Sequence, residues 1–193
     1  MGIKFGKQEL IMGDSFPLSV VDTRYAGGCY LYVHDQGELI EKHKHHSLSV
    51  DVAGESRVSV TGEIDKLCGV MLHVTANSTG KSQFGHGKAM VSGRKGSIYF
   101  IGQLANTRYE IPGEWVSHLI NAGEENYKDL VEHNNGAEQW DANLNCQVFV
   151  QKLVKYLDLD YLSSILTCVD IPPTIVELTI LAIRSSAHSQ EKL

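Results

Sequence analysis

Residues 143–157 read NLNCQVFVQKLVKYL, a stretch that predicts an amphipathic helix. Apolar side chains recur at positions 149, 150, 153, 154 and 157, which is the spacing of one helix face. Asn143 and Asn145 are natural N-caps, so we expect Cys146 in the first helical turn. A thiol there lies near the positive end of the helix dipole, where cysteines become more acidic. A small buried residue opening a core helix explains Cys146 equally well.

The length, composition and charge of the chain restrict the classes of protein to which it can belong. The chain has 193 residues, of which 42% are hydrophobic and 21% charged, and this balance is typical of a globular protein with a core. A formal net charge of −6 argues against a nucleic-acid-binding surface. The four cysteines form no C-x-x-C pair, and neither a signal-peptide core nor an apolar run of transmembrane length is visible. We therefore expect a cytoplasmic protein without a transmembrane anchor.

The order of the predicted elements is mainly strands and then, after Pro112, mainly helices, which favours an α+β fold. The predicted domain covers residues 1–158 with an N-terminal arm, and residues 159–193 form a helical extension packed on it. The region 76–97 is rich in glycine and predicts a loop with one short strand. The predicted strands are 18–21, 29–33, 47–52, 57–60, 69–74 and 96–101, and the predicted helices are 113–121, 124–133, 145–157, 160–169 and 172–186.

Histidines supply the candidate partners of the cysteine. A cysteine nucleophile needs a base that takes its proton and later returns it to a leaving group. His45 and His46 stand at the entry to the 47–52 strand, and because strand residues alternate, only one of them can face a given site. His73 lies in the next strong strand and could orient the first imidazole as the third member of a triad.

Four short motifs resemble those of permuted papain-like enzymes, the group that contains lecithin:retinol acyltransferase-like, NlpC/P60-like and PPPDE-like proteins. HHSL (45–48) resembles the start of their histidine strand, and NCQVF (145–149) resembles the start of their cysteine helix. GVMLHVTAN (69–77) and IGQL (101–104) are similar to a mostly fungal, uncharacterised subgroup. The histidine strand precedes the cysteine helix, as in the permuted order, and the resemblance covers residues 40–158.

The resemblance implies a small antiparallel sheet with the nucleophile helix packed across it. It assigns Cys146 as nucleophile, His45 as general base and His46 to a position that is usually aromatic, and it makes His73 the candidate third residue. Which of the two adjacent histidines faces the cysteine stays open. The chemistry would be acyl transfer or hydrolysis on a small-molecule, lipid or peptide substrate with an ester, thioester or amide bond, without a cofactor. Helix-start N–H groups would hold the oxyanion, and Asn145 and Gln147 are available as additional donors.

Three alternatives remain. His43 and His45 fit the opening of a cupin metal motif, but Ser49 and Val50 occupy the positions where its glutamate is expected. A papain-like domain could also serve as a non-catalytic binding or scaffold protein, with Cys146 as a packing residue. The 172–186 segment is apolar enough to touch a membrane, although closing a core or forming a homodimer explains it better.

Overall fold

The computed structural model describes residues 16–34, 44–59, 62–77, 79–92, 96–104, 111–165 and 167. Within these ranges six strands precede two helices, which confirms the α+β class. The elements are β1 (Gly28–His34), β2 (His46–Asp51), β3 (Arg57–Val58), β4 (Ile64–Ala76), β5 (Ser82–Ser92), β6 (Gly96–Gln103), α1 (Pro112–His133) and α2 (Cys146–Tyr156).

The strands form one antiparallel sheet in the order β3–β4–β2–β1–β6, and β5 also pairs with β4. β4 and β5 make a long hairpin in register from Lys66 and Ser92 to Ala76 and Ser82. β2 lies between β1 and β4, with Val33 of β1 opposite His46. The end of β1 and the start of β2 therefore meet at one end of the sheet.

Apolar side chains cover both faces of this sheet. On one face, alternate residues of β1, β2 and β4 pack against α1 and α2, and Phe149 and Leu153 of α2 are fully buried there. On the other face a smaller cluster is formed by Tyr30, Tyr32, Leu67, Met71 and Ala89. Strand alternation thus separates a helix-covered face from an opposite face, and it decides where each histidine points.

α1 is one continuous helix of 22 residues, so the predicted break at Ala122–Gly123 is wrong. A Cβ added at Gly123 would lie 2.6 Å from the Phe84 ring. Glycine here serves the close approach of α1 to the sheet, and its cost in helix propensity is only about 1 kcal/mol. Both Ala122 and Gly123 are buried, as expected for the face of a helix that contacts a core.

The glycine-rich region 76–97, predicted as a loop with one short strand, contains β5, a strand of 11 residues. Gly85 lies within the strand, opposite His73 of β4, and a Cβ on it would approach the His73 ring to 2.7 Å. Glycine in a strand often marks such a close approach rather than a loop.

Other predicted boundaries differ less. Residues 18–21 form no strand, although Val21 N donates to Ala53 O at 2.7 Å, and residues 160–165 form no helix. The N-terminal arm before residue 16, Cys168 and the predicted 172–186 helix lie outside the described residues. Within the described part of the chain, neither helix combines the length and apolar character needed to cross a membrane.

Candidate active site

The start of α2 has the predicted capped geometry. Cys146 is the first helical residue, and the extended backbone of Asn145 places its side chain over the helix end. Asn145 Oδ1 accepts hydrogen bonds from the N–H groups of Gln147 and Val148, both at 3.0 Å. Asn145 is therefore the N-cap, and its bonds satisfy two of the N–H groups that every helix start leaves open.

The loop before the cysteine is held by its own polar groups. Asp141 Oδ1 accepts from the N–H groups of Asn143 at 2.7 Å and Leu144 at 2.9 Å, and Asn145 Nδ2 donates to Asp141 O at 2.9 Å. Ser82 Oγ of β5 donates to Leu144 O at 3.3 Å, which joins the loop to the sheet. These bonds fix the backbone that presents Cys146.

Gln147 connects the start of α2 to the residues that enter β2. Its side chain is buried, and Nε2 donates to Lys44 O at 3.0 Å. Because Lys44 immediately precedes His45, this bond brings the cysteine turn next to the histidine segment. The side-chain amides of Asn145 and Gln147 both make hydrogen bonds within the protein. Both side chains therefore help to build the site.

His45 and His73 form the pair that the sequence suggested. His45 Nε2 lies 3.0 Å from His73 Nδ1, and the two rings meet nearly edge to face. His73 is only 8% exposed. These histidines are 28 positions apart in sequence, and they meet because β2 and β4 are hydrogen-bonded neighbours.

His46 points to the other side of the sheet. Alternation places it with Leu48 and Val50 on the helix-covered face, where it is fully buried and Nδ1 lies 3.0 Å from the Tyr161 hydroxyl. Among the described residues, its Nε2 has no hydrogen-bond partner. The two adjacent histidines therefore occupy different environments, as their spacing requires.

Burial keeps these imidazoles uncharged. Desolvation is the main reason that the pKa of His45 lies well below its ordinary value of 6.5, with a further lowering from the nearby His34, His73 and His46. Desolvation likewise lowers the pKa of His73 to about 4 and that of His46 to about 4. At neutral pH each ring is neutral and can accept a proton.

The other described cysteines differ from Cys146 in position. Cys29 and Cys68 are fully buried on strands, and burial raises the pKa of each thiol to about 12. Cys146 is 5% exposed and stands at a helix start. None of these three cysteines forms a disulfide bond within the described residues.

Within the described ranges, no group of three or more His, Cys, Asp or Glu side chains is arranged to hold a metal ion. Of the two histidines in the cupin alternative, His43 lies outside the described residues and His45 is engaged with His73.

Comparisons with known proteins add no relative: no family model matches the chain, and neither the curated proteins nor the solved structures give a match. The geometry of the site and the motif resemblance are thus the two sources of a functional proposal.

Sequence reasoning assigned no role in the site to three residues of this region. His34 lies against His45, Tyr161 contacts His46, and Gly85 makes room for the His73 ring. His34 and Gly85 could have been found from strand pairing, but Tyr161 is 115 positions from His46 and no local pattern links them.

Proposed function

We propose that this chain is a thiol-dependent acyltransferase or hydrolase with a permuted papain-like arrangement, in which Cys146 is the nucleophile, His46 the general base and Tyr161 the residue that orients the base. The observation that carries the proposal is the position of His46 on the sheet face that α2 covers, because α2 begins at Cys146 and the Gln147 side chain bonds to Lys44 O at the entry to β2. The motif resemblance supports Cys146 as the nucleophile and is compatible with either of the adjacent histidines as the base.

The choice of His46 over His45 rests on strand alternation. His46 shares the face of Leu48 and Val50, on which α2 packs, whereas His45 points to the opposite face. His45 contacts His73 there, so we do not assign this pair the roles of base and orienting residue.

The contact between His46 and Tyr161 also favours one tautomer for catalysis. If His46 Nδ1–H donates to the Tyr161 hydroxyl oxygen, the lone pair of His46 Nε2 is available to accept the thiol proton. This Nε2 has no hydrogen-bond partner among the described residues. Burial lowers the pKa of His46 to about 4, so at neutral pH the ring has the neutral form that a general base requires.

The reaction then proceeds in two steps. His46 accepts the proton of Cys146 as Sγ attacks the substrate carbonyl, and the tetrahedral oxyanion forms near the start of α2, where the helix dipole favours negative charge. Collapse expels the alcohol, thiol or amine, which takes the proton from His46 and leaves a thioester on Cys146. Water, an amine or an alcohol next loses its proton to His46 and attacks the thioester, and the departing Sγ takes this proton back from His46, which restores the thiol.

The test compares alkylation of the individual cysteines by iodoacetamide, a reagent small enough for a thiol with 5% exposure. Peptide mass mapping at pH 7 should show Cys146 modified much faster than Cys29 and Cys68. His46→Gln, which keeps a polar side chain at the buried position, should slow modification of Cys146 by about 10²-fold or more, the usual contribution of a positioned base. His45→Gln, at the adjacent position on the opposite face of the sheet, is the matched control and should react like the wild type. Equal rates at all cysteines, or an unchanged rate in folded His46→Gln, would refute an activated thiol.

Turnover is tested separately with p-nitrophenyl esters of increasing acyl length. Release of nitrophenolate and a mass increase on Cys146 are expected in the wild type, and both should be absent in Cys146→Ala. Cys146→Ser, which keeps the size of the side chain, should also lose the acyl-enzyme.

The near-complete burial of Cys146 favours one second candidate, a non-catalytic binding or scaffold protein in which this thiol is a packing residue. In that case Cys146→Ala should lower the free energy of unfolding while His46→Gln leaves the alkylation rate of Cys146 unchanged. The proposed enzyme predicts a slower alkylation rate in His46→Gln.

A further inference from the structure

An open groove with a volume of about 880 Å³ lies on the sheet face opposite α1 and α2. β6 contributes Ile98 and Phe100 to its lining, β3 and β4 contribute Val58 and Ile64, and β1 contributes Tyr30. The volume is within the range of small-molecule sites, which are lined mainly by apolar and aromatic side chains with a few charged groups. The lining of this groove has the same composition.

The groove is separate from the proposed active site. Gly28, the first residue of β1, lines it, and this residue pairs with Asp51 at the end of β2. Cys146 instead opens the helix on the opposite face, and the neighbouring Gln147 bonds to Lys44 before the start of β2. The two regions therefore lie on different faces of the sheet and near different ends of β2.

Aromatic rings make the groove attractive to a cation. Phe100 is 54% exposed, and its ring centroid lies 5.5 Å from that of Tyr30. The face of an aromatic ring carries partial negative charge, so it attracts ammonium groups. Burial raises the pKa of Tyr30 to about 12, so at pH 7 its hydroxyl is neutral and does not change the charge of the groove.

The charged groups of the groove leave an excess of negative charge. Glu63 and Asp65 line it, are exposed, and form no ion pair with any residue that the structure describes. Arg24 also lines it, but its Nε and Nη2 donate to the Asp22 carboxylate at 3.0 and 2.7 Å. The Arg24 guanidinium carbon lies 5.4 Å from the centre of the Tyr25 ring, so one aromatic face of the groove already holds a cation.

We propose that this groove binds a small organic cation, whose apolar body lies against Phe100 and whose amine or quaternary ammonium group lies near Glu63 and Asp65. The apolar wall would contribute to the affinity of any ligand of this shape. The rings and carboxylates would favour a positive charge and disfavour an anion, because exposed charges contribute to specificity more than to affinity.

The experiment compares three probes of similar shape and different charge: phenethyltrimethylammonium, phenethyl alcohol and hydrocinnamate. Each is titrated into the full chain at low salt, and binding is followed by the chemical shifts of backbone amides. The cation should bind about tenfold more tightly than the anion, with the alcohol between them, and the shifts should be centred on β6. Equal affinities, no binding of the cation, or shifts confined to other surfaces would overturn the proposal.

An aromatic variant tests the wall of the groove. Phe100→Ala should weaken binding of the cation about tenfold, because it removes both the apolar contact and the ring face. Tyr156→Ala is the matched control, since Tyr156 is 55% exposed on α2 and does not line the groove. It should bind the cation like the wild type, and equal losses in the two variants would contradict the assigned site.

Charge variants test the sign of the interaction. The combined Glu63→Gln/Asp65→Asn variant should weaken binding of the cation about fivefold and leave phenethyl alcohol unaffected, because only charge is removed. Arg24→Gln should instead tighten the cation, because it releases the Asp22 carboxylate from its partner. A variant that loses affinity for all three probes has lost structure, which urea unfolding detects.

The two proposals can fail separately. Binding is measured without any reaction at Cys146, so an unreactive thiol would refute the proposed function and leave the cation site intact. Loss of the preference for the cation would refute only the cation site.

Discussion

The buried polar groups at the two ends of β2 differ in how completely they are hydrogen-bonded. At its last residue, the Asp51 carboxylate accepts four backbone N–H bonds, from Ala53, Gly54 and Glu55 to Oδ1 and from Ser56 to Oδ2, at 2.7–3.2 Å. At its first residue, His46 Nε2 is buried without a partner among the described residues, and the preceding His45 shares a contact with another neutral imidazole.

This contrast distinguishes buried polar groups that stabilise the fold from buried polar groups that remain available for chemistry. A buried group whose hydrogen-bonding capacity is filled stabilises one conformation and has nothing left to offer a ligand. Desolvated histidines with lowered pKa and spare ring nitrogens are less stabilising, and groups of this kind cluster at functional sites. Only 1% of Asp51 is exposed and His46 is fully buried, so burial does not distinguish the two ends of β2. The ends differ in how many of their polar atoms have hydrogen-bond partners.

The largest predicted effect on stability is that of replacing Asp51, at the end of β2. Asp51→Ala removes the acceptor of four N–H groups and should lower the free energy of unfolding by about 3 kcal/mol or more, because several buried donors lose a charged partner. Urea unfolding at pH 7 measures this loss. Asp65→Ala, at an exposed position of β4, is the control and should change the free energy by less than about 0.5 kcal/mol. Similar effects for both variants would contradict the comparison.

His46, at the start of β2, should make the stability of the fold sensitive to acid. Because the pKa of His46 is about 4 in the folded protein and 6.5 is its ordinary value, the unfolded chain binds more protons between these pH values. The free energy of unfolding should therefore fall as the pH is lowered through this window, by up to about 1.4 kcal/mol per pH unit for this one group.

His46→Phe should remove that part of the slope, and the change is read from urea unfolding at pH 5 and pH 6. Tyr161→Phe is the matched variant, since it removes the hydroxyl 3.0 Å from Nδ1 but keeps the imidazole, and it should retain the slope. An equal pH dependence in the wild type and in His46→Phe would show that this histidine does not titrate as proposed.

A smaller effect should appear at the His45–His73 pair. In Gly85→Ala the new Cβ would lie 2.7 Å from His73 Nε2, so the ring must shift relative to His45. We expect the free energy of unfolding to fall by about 1.5 kcal/mol, within the usual cost of adding a methyl group to a packed site. Urea unfolding measures this change. Gly113→Ala, where a Cβ meets nothing within 4 Å, is the control and should not lose stability.

The smallest effect is expected at the helix cap. Asn145→Ala should lower the free energy of unfolding by about 1 kcal/mol, because two N–H groups of α2 lose their acceptor. Thermal or urea unfolding measures it. The exposed Asn143, a candidate cap on sequence grounds alone, is the control; if Asn143→Ala proves the more damaging variant, the cap has been assigned to the wrong residue.

The parts of the fold that local pattern could predict are those with a strong period. α2 was predictable because its apolar spacing and its Asn145 cap agree, and β2 because its polar and apolar residues alternate. Prediction from the local pattern failed where a glycine is required by a close contact in the tertiary structure. Gly123 and Gly85 look like breaks in sequence, yet each lies inside a regular element at a close contact with another side chain.

The sequence by itself determined that a cysteine opens an amphipathic helix and that adjacent histidines must point to opposite faces of a strand, since both follow from the repeat of the local backbone. Only the tertiary structure decided that His45 meets His73 and His34 while His46 meets Tyr161. These contacts join residues on different strands and on the segment after α2, and they depend on sheet order and register, which no local period encodes.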